Sequence, residues 1–170
     1  GSSVNYLFSY PYGCIEQRAS KILPLVTFEE YIDIFNMDLS EKITDIKSLV
    51  KSYFSEIKNY QLSDGGFGYW PTSKESNFYP SLRVAHVYAV ARERGYLTSE
   101  LPINIDKLIK YISENINRKA SYKYYHSDYS RAYAYYVLAL NSPESVSIPD
   151  MQKLTTQTKD FAANAYIGLA

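Results

Sequence analysis

The stretch SLRVAHVYAVA, residues 81–91, is apolar nearly all round a helix, with only Arg83 and His86 carrying strong polarity. Two further stretches share its character: SRAYAYYVLAL at 130–140 and AANAYIGLA at 162–170. A helix without a polar face must be buried, whereas a one-faced helix lies on the outside of a fold. Residues 40–60 are of the second kind, with Ile43, Ile46, Leu49, Val50, Tyr53, Phe54 and Ile57 on one side and Ser40 as the N-cap.

Working outward gives an alternation of outer and inner helices. Apolar spacings of three and four predict a first helix over 14–31, kinked or interrupted at Pro24. The remaining helices are placed at 80–93, 103–116, 129–140, 149–158 and 161–170. The 80–93 helix is closed by Arg92, Arg94 and Gly95. A loose Ala-Tyr-x-x-Leu-Ala repeat links 134–139 to 165–170. The expectation is an all-α chain of stacked helical hairpins, with the alanine-rich helices inside. The last helix meets no stop signal, so 1–170 reads as part of a larger domain with an exposed apolar face near its C-terminal side. Gly1, Ser2 and Ser3 read as a cloning scar.

Composition narrows the function. Lysine plus arginine and aspartate plus glutamate both number 18, which offers no basic excess for nucleic acid. No apolar run approaches the length of a membrane span. A single cysteine excludes an internal disulfide, and with two histidines it leaves no four-ligand metal site of the cysteine/histidine kind. Tyrosine, at 19, is the unusual count, and suits walls that are apolar on one side and wet at the rim.

The lone cysteine lies in YPYGCIEQ, residues 10–17. Cys14 opens a helix, where the positive end of the macrodipole favours a thiolate. Gln17, three residues on, shares its face. A thiol held against a carboxamide can attack it, release ammonia and close a thioester ring. Tyr10 and Tyr12 are placed to shield that ring from water, and Gly13 ends the turn before it. The spacing by itself also fits an inert buried cysteine.

YPYGCIEQ resembles the thioester motif of the α2-macroglobulin and complement superfamily, most of all its bacterial α2-macroglobulin branch, whose signature is Pro-Tyr-Gly-Cys-x-Glu-Gln. QLSDGGFGYWP (61–71) is similar to the loop after the second helix of those thioester domains, and 79–96 and 130–140 read like their inner helices. The resemblance implies an incomplete α/α toroid within a broad-spectrum protease trap of the bacterial periplasm or cell envelope, lipid-anchored in the parent. Its thioester partners are Cys14 and Gln17, and Glu16 belongs to the motif. Its partners are the attacking protease, captured through lysine amines, and the other domains of the parent. Single-use capture is not turnover, so no enzyme is implied, and no cofactor or metal.

The 61–71 motif also occurs in toroid enzymes such as terpene cyclases and protein prenyltransferases, though their aspartate-rich clusters are missing here. An enzyme of that kind, or an inert helical scaffold, are the alternatives. In either setting Asp64, Gly65 and Gly66 form a tight turn, and Phe67, Tyr69 and Trp70 plug the end of a helical layer. In the complement branch a histidine relays the acyl group to hydroxyls. His126 falls in roughly that region, with an exposed loop histidine as the other reading. His86, among Val84, Val87 and Tyr88, reads as a hydrogen-bonded core histidine.

Overall fold

Among the described residues seven α-helices form where the apolar spacing places them: α1 (Ile15–Ile34), α2 (Ile46–Ile57), α3 (Phe78–Glu93), α4 (Ile105–Asn115), α5 (Asp128–Asn141), α6 (Ile148–Gln157) and α7 (Phe161–Leu169). The structure, a computed structural model, describes residues 14–34, 46–97, 100–118 and 126–170, with side chains of 28–34 excepted. Tyr10, Tyr12, Gly13 and the expected cap Ser40 lie outside the described residues. Among the described residues there is no strand; two isolated antiparallel bridges, Gln61 with Phe67 and Phe67 with Asn77, tie the α2–α3 loop together.

Capping explains the boundaries. Asn104, Ser127, Ser147 and Asp160 each accept a backbone N–H three residues on, opening α4, α5, α6 and α7, each contributing about 1 kcal/mol. α3 starts at Phe78, two residues earlier than the sequence suggests. Pro80 therefore sits in the first turn, where its missing N–H has no intrahelical acceptor to lose. At the other end Gly95 takes φ +73°. There Tyr96 N donates to Ala91 O at 2.8 Å and Gly95 N to Arg92 O at 3.1 Å, a Schellman closure. α1 runs through Pro24 to Ile34 as one helix, so the expected interruption does not occur.

The helices form two rows. α1, α3, α5 and α7 pack in series as the inner row; α2 lies on α1, α4 spans α3 and α5, and α6 spans α5 and α7. This is an all-α, partial α/α toroid. The inner helices are alanine-rich because each has neighbours on more than one side: Ala85, Ala89, Ala91, Ala132 and Ala134 are all buried. Small side chains let backbones approach, and the bulky Tyr133, Tyr135, Leu82 and Leu138 are fully buried, Tyr133 against His86 of α3 and Tyr166 of α7. The outer α2 shows one buried stripe, Ile46, Val50, Tyr53, Phe54 and Ile57.

The last inner helix departs from expectation. Only Ala163 and Ile167 of α7 are buried, while Phe161 is 88% and Leu169 69% exposed. α7 rests on α5 and α6, and among the described residues no further inner helix covers its other side. An apolar all-round pattern predicts burial only where neighbours exist on every side. The exposed apolar face expected near the C-terminal side is present.

Candidate functional site

Cys14 stands immediately before α1, and its carbonyl accepts the first helical bond, from Arg18 N at 3.2 Å. Ile15 and Ala19 are fully buried and fix the roll of the helix. That roll leaves Cys14 half-buried with a free thiol, Glu16 half-buried and Gln17 exposed. Gln17 folds back over the helix start: Cys14 N donates to Gln17 Oε1 at 3.0 Å. This is the second half of a capping box, in which the third helical residue satisfies the N–H of the cap. Its chemical consequence is that the carboxamide of Gln17 is held beside Cys14. The neighbouring donor, Ile15 N, is taken by Tyr69 O at 3.2 Å. The Gly-Tyr-Trp loop thus anchors the turn that bears the cysteine.

That loop is built around its polar residues. Asp64 Oδ1 accepts from Gly66 N at 3.0 Å and from Ser76 Oγ at 2.6 Å. Gly65 takes φ +93°, and a Cβ there would lie 2.2 Å from Lys107 O. A Cβ on Gly66 would lie 2.5 Å from Ser76 Cβ and 2.8 Å from the Tyr111 ring. Both glycines are therefore required by close approach. Gln61 clasps the start of α4, donating from Nε2 to Asn104 O at 2.8 Å and accepting from Asn104 N at 2.8 Å. Phe67 is fully buried and acts as the expected plug. Trp70 does not: it is 50% exposed, on a turn in which Trp70 N donates to Ser73 Oγ and Ser73 N to Trp70 O, each at 3.0 Å. The tryptophan is corrected to a surface position.

Beside this loop lies a cleft of about 230 Å³, lined among others by Tyr69, Glu75, Phe78, Tyr79, Tyr111 and His126. Burial raises the Tyr69 phenol above its usual range, with Glu16 and then Cys14 adding to the effect. Burial also raises Tyr79; Arg83 opposes this, and Tyr129 and Glu16 reinforce it. One wall of the cleft, Tyr69, is tied to the 14–17 turn by the bond from Ile15 N to Tyr69 O.

His126 is not the exposed loop histidine of the sequence reading. It is half-buried and stacked on Phe78, with ring centroids 3.9 Å apart. Burial lowers its basicity, a hydrogen bond with the Asn115 backbone opposes this, and Arg131 and Arg118 lower it further. Its Nε2 is buried and has no hydrogen-bond partner, and no hydrogen bond joins it to the Cys14 sulfur. His86 matches the core reading: its Nδ1 lies 2.6 Å from Tyr133 Oη, and its ring meets Tyr133 and Tyr136 edge-on. Burial, helped by Arg83, pushes its pKa down to about 4.

Tyr79 and Glu75 were missed as site residues, since nothing in local spacing says that the start of α3 faces the start of α1. Among the described residues no group of three or more His, Cys, Asp or Glu side chains could hold a metal ion, and no helix is long and apolar enough to cross a membrane.

Comparison with known proteins adds the following. The A-macroglobulin TED domain family matches residues 1–100. Alpha-2-macroglobulin of Escherichia coli (strain K12) is 28% identical over 116 residues, which is 65% of this chain and 7% of that relative. The chain thus matches only a small part of the relative's length. No solved structure matches the chain.

Proposed function

The chain belongs to the A-macroglobulin TED domain family, and from that premise we propose that Cys14 and Gln17 close an internal thioester by which a macroglobulin-like protease inhibitor captures its attacker covalently. The observation that carries this reading is the return of the Gln17 carboxamide to Cys14 N at 3.0 Å. Attack by Sγ on Gln17 Cδ forms the C–S bond, and the amide nitrogen leaves as ammonia. The Cys14 N–H already donates to the oxygen of that carbonyl. It is placed to stabilise the negative charge that develops there, both as the ring forms and as it opens.

When an amine attacks, its nitrogen bonds to Cδ, the C–S bond breaks, and the amine's proton passes to sulfur. The products are an amide on Gln17 and a free Cys14 thiol. Each molecule acts once, so the role is capture and not turnover. The attacking protease supplies the amine from a surface lysine, and the other domains of the longer protein keep water from the ring. Tyr10 and Tyr12, just before the turn, contribute to that shield, and a periplasmic or cell-envelope setting with a lipid anchor in the parent fits this role.

Intact mass tests the reading. Freshly folded parent protein should weigh one ammonia less than its sequence, and methylamine should restore a titratable Cys14. On heating, the backbone nitrogen of Gln17 should attack its own activated side-chain carbonyl and split the chain between Glu16 and Gln17. Cys14→Ala should abolish both the mass loss and the split. Unmodified mass with a free thiol and no heat cleavage would overturn the proposal.

A further inference from the structure

We propose that Arg83 sets how fast the thioester opens: its guanidinium, carried by α3 onto the face of α1 that bears Gln17, stabilises the negative oxygen that forms when a nucleophile adds to Gln17 Cδ. The inference rests on the thioester reading above and adds to it a residue remote in sequence from the 14–17 turn.

Position is the first argument. Gln17 and Ser20, one helical turn apart and both exposed, share a face of α1. Arg83 Nη2 donates to Ser20 Oγ at 3.2 Å. That bond fixes the guanidinium one turn from Gln17, at ~10 Å from its side-chain carbonyl. Tyr79, one turn before Arg83 on α3, supports the placement. Burial raises its phenol, Arg83 lowers it, and Tyr129 and Glu16 raise it, so Arg83 and the 14–17 turn act on one hydroxyl.

Charge is the second. Arg83 is half-buried, and its guanidinium is held by hydroxyls, Ser20 Oγ and Tyr133 Oη. Among the described residues no carboxylate forms an ion pair with it, and its buried Nε has no hydrogen-bond partner. Hydroxyls fix a guanidinium in place without cancelling its charge. Arg18, next to Gln17 in sequence, is by contrast paired with Glu56. Chemistry is the third. Addition of a neutral nucleophile moves negative charge onto the thioester oxygen. The Cys14 N–H donates to that oxygen directly, and Arg83 adds a full charge at longer range. At this separation, in surroundings less polar than water, the charge is worth about five-fold in rate.

The test uses parent protein with a closed thioester and follows release of the Cys14 thiol by hydroxylamine, which is neutral at pH 7. Its nitrogen bonds to Gln17 Cδ, the C–S bond breaks, and a proton passes from nitrogen to sulfur. Arg83→Gln should slow ring opening about five-fold at low salt. The difference should vanish at about 1 M salt, where screening acts over roughly 3 Å. Arg83→Lys keeps the charge and should restore most of the rate. Ser20→Ala frees the guanidinium from α1 and should slow the reaction about two-fold; its site is exposed, so it decides the matter even where Arg83→Gln does not fold. Glu16, Arg18 and Lys21 stay in every variant, so the comparison reads Arg83. Arg92→Gln removes a charge from the far end of α3 and should alter nothing. A Ser20→Ala or Arg83→Gln protein that has lost its ammonia yet opens as fast as wild type would overturn the role of Arg83 alone. So would an Arg83→Lys variant as slow as Arg83→Gln, since that pattern marks shape and not charge. Wild-type protein that never loses ammonia would overturn the thioester reading instead.

Discussion

His86 should make the fold acid-labile in a defined window. It is a half-buried imidazole whose Nδ1 faces Tyr133 Oη at 2.6 Å. That hydroxyl also hydrogen-bonds the Arg83 guanidinium. The consistent arrangement has Arg83 donating to the Tyr133 oxygen and Tyr133 donating to a neutral His86. Protonating His86 removes the acceptor and sets a second cation one hydroxyl away from Arg83. Its pKa accordingly falls from 6.5 to about 4 on folding, chiefly through burial. The unfolded chain then binds more protons than the folded one between these values, so stability is full above pH 6.5 and lost as pH falls towards 4. The complete linkage is about 3 kcal/mol, of which about 2 kcal/mol is lost by pH 5. Urea unfolding followed by circular dichroism, at intervals from pH 7.5 to 4.5, measures it. His86→Gln keeps an acceptor for Tyr133 but does not titrate. The wild type should lose about 2 kcal/mol more than this variant between pH 7.5 and 5. His126 and the carboxylates titrate in both proteins and cancel in the difference. Parallel profiles would refute the reasoning.

Gly65→Ala should destabilise the domain by about 3 kcal/mol, combining a strained φ with a contact against backbone, because its Cβ would meet Lys107 O at 2.2 Å. The urea midpoint reads this loss directly. Gln61→Ala removes the two-bond clasp on Asn104 and the bond from Nε2 to Gly65 O. Since water can reach part of that site, a cost of about 1–2 kcal/mol is expected, and faster hydrogen exchange at Asn104 N should accompany it.

The helices and their order were legible in the sequence because they are set by local physics. Apolar spacing and Gly95 past the end of α3 act within a few residues of one another, and so does the approach of Gln17 to Cys14 across a single helical turn; the caps Asn104 and Asp160 are equally local but went unread. The alternation of one-faced and all-round apolar helices also carried the two-row architecture, since a helix without a polar face needs neighbours on several sides. What pattern alone could not decide was which neighbours exist. The apolar α7 lies half open because, among the described residues, it packs chiefly on α5 and α6, and Trp70 faces solvent although its composition suits a plug. The link from Tyr69 O to Ile15 N and the cleft that gathers Tyr69, Glu75, Tyr79 and His126 join residues dozens of positions apart. Contacts of that kind depend on how the finished rows of helices dock, and only the tertiary structure fixes them.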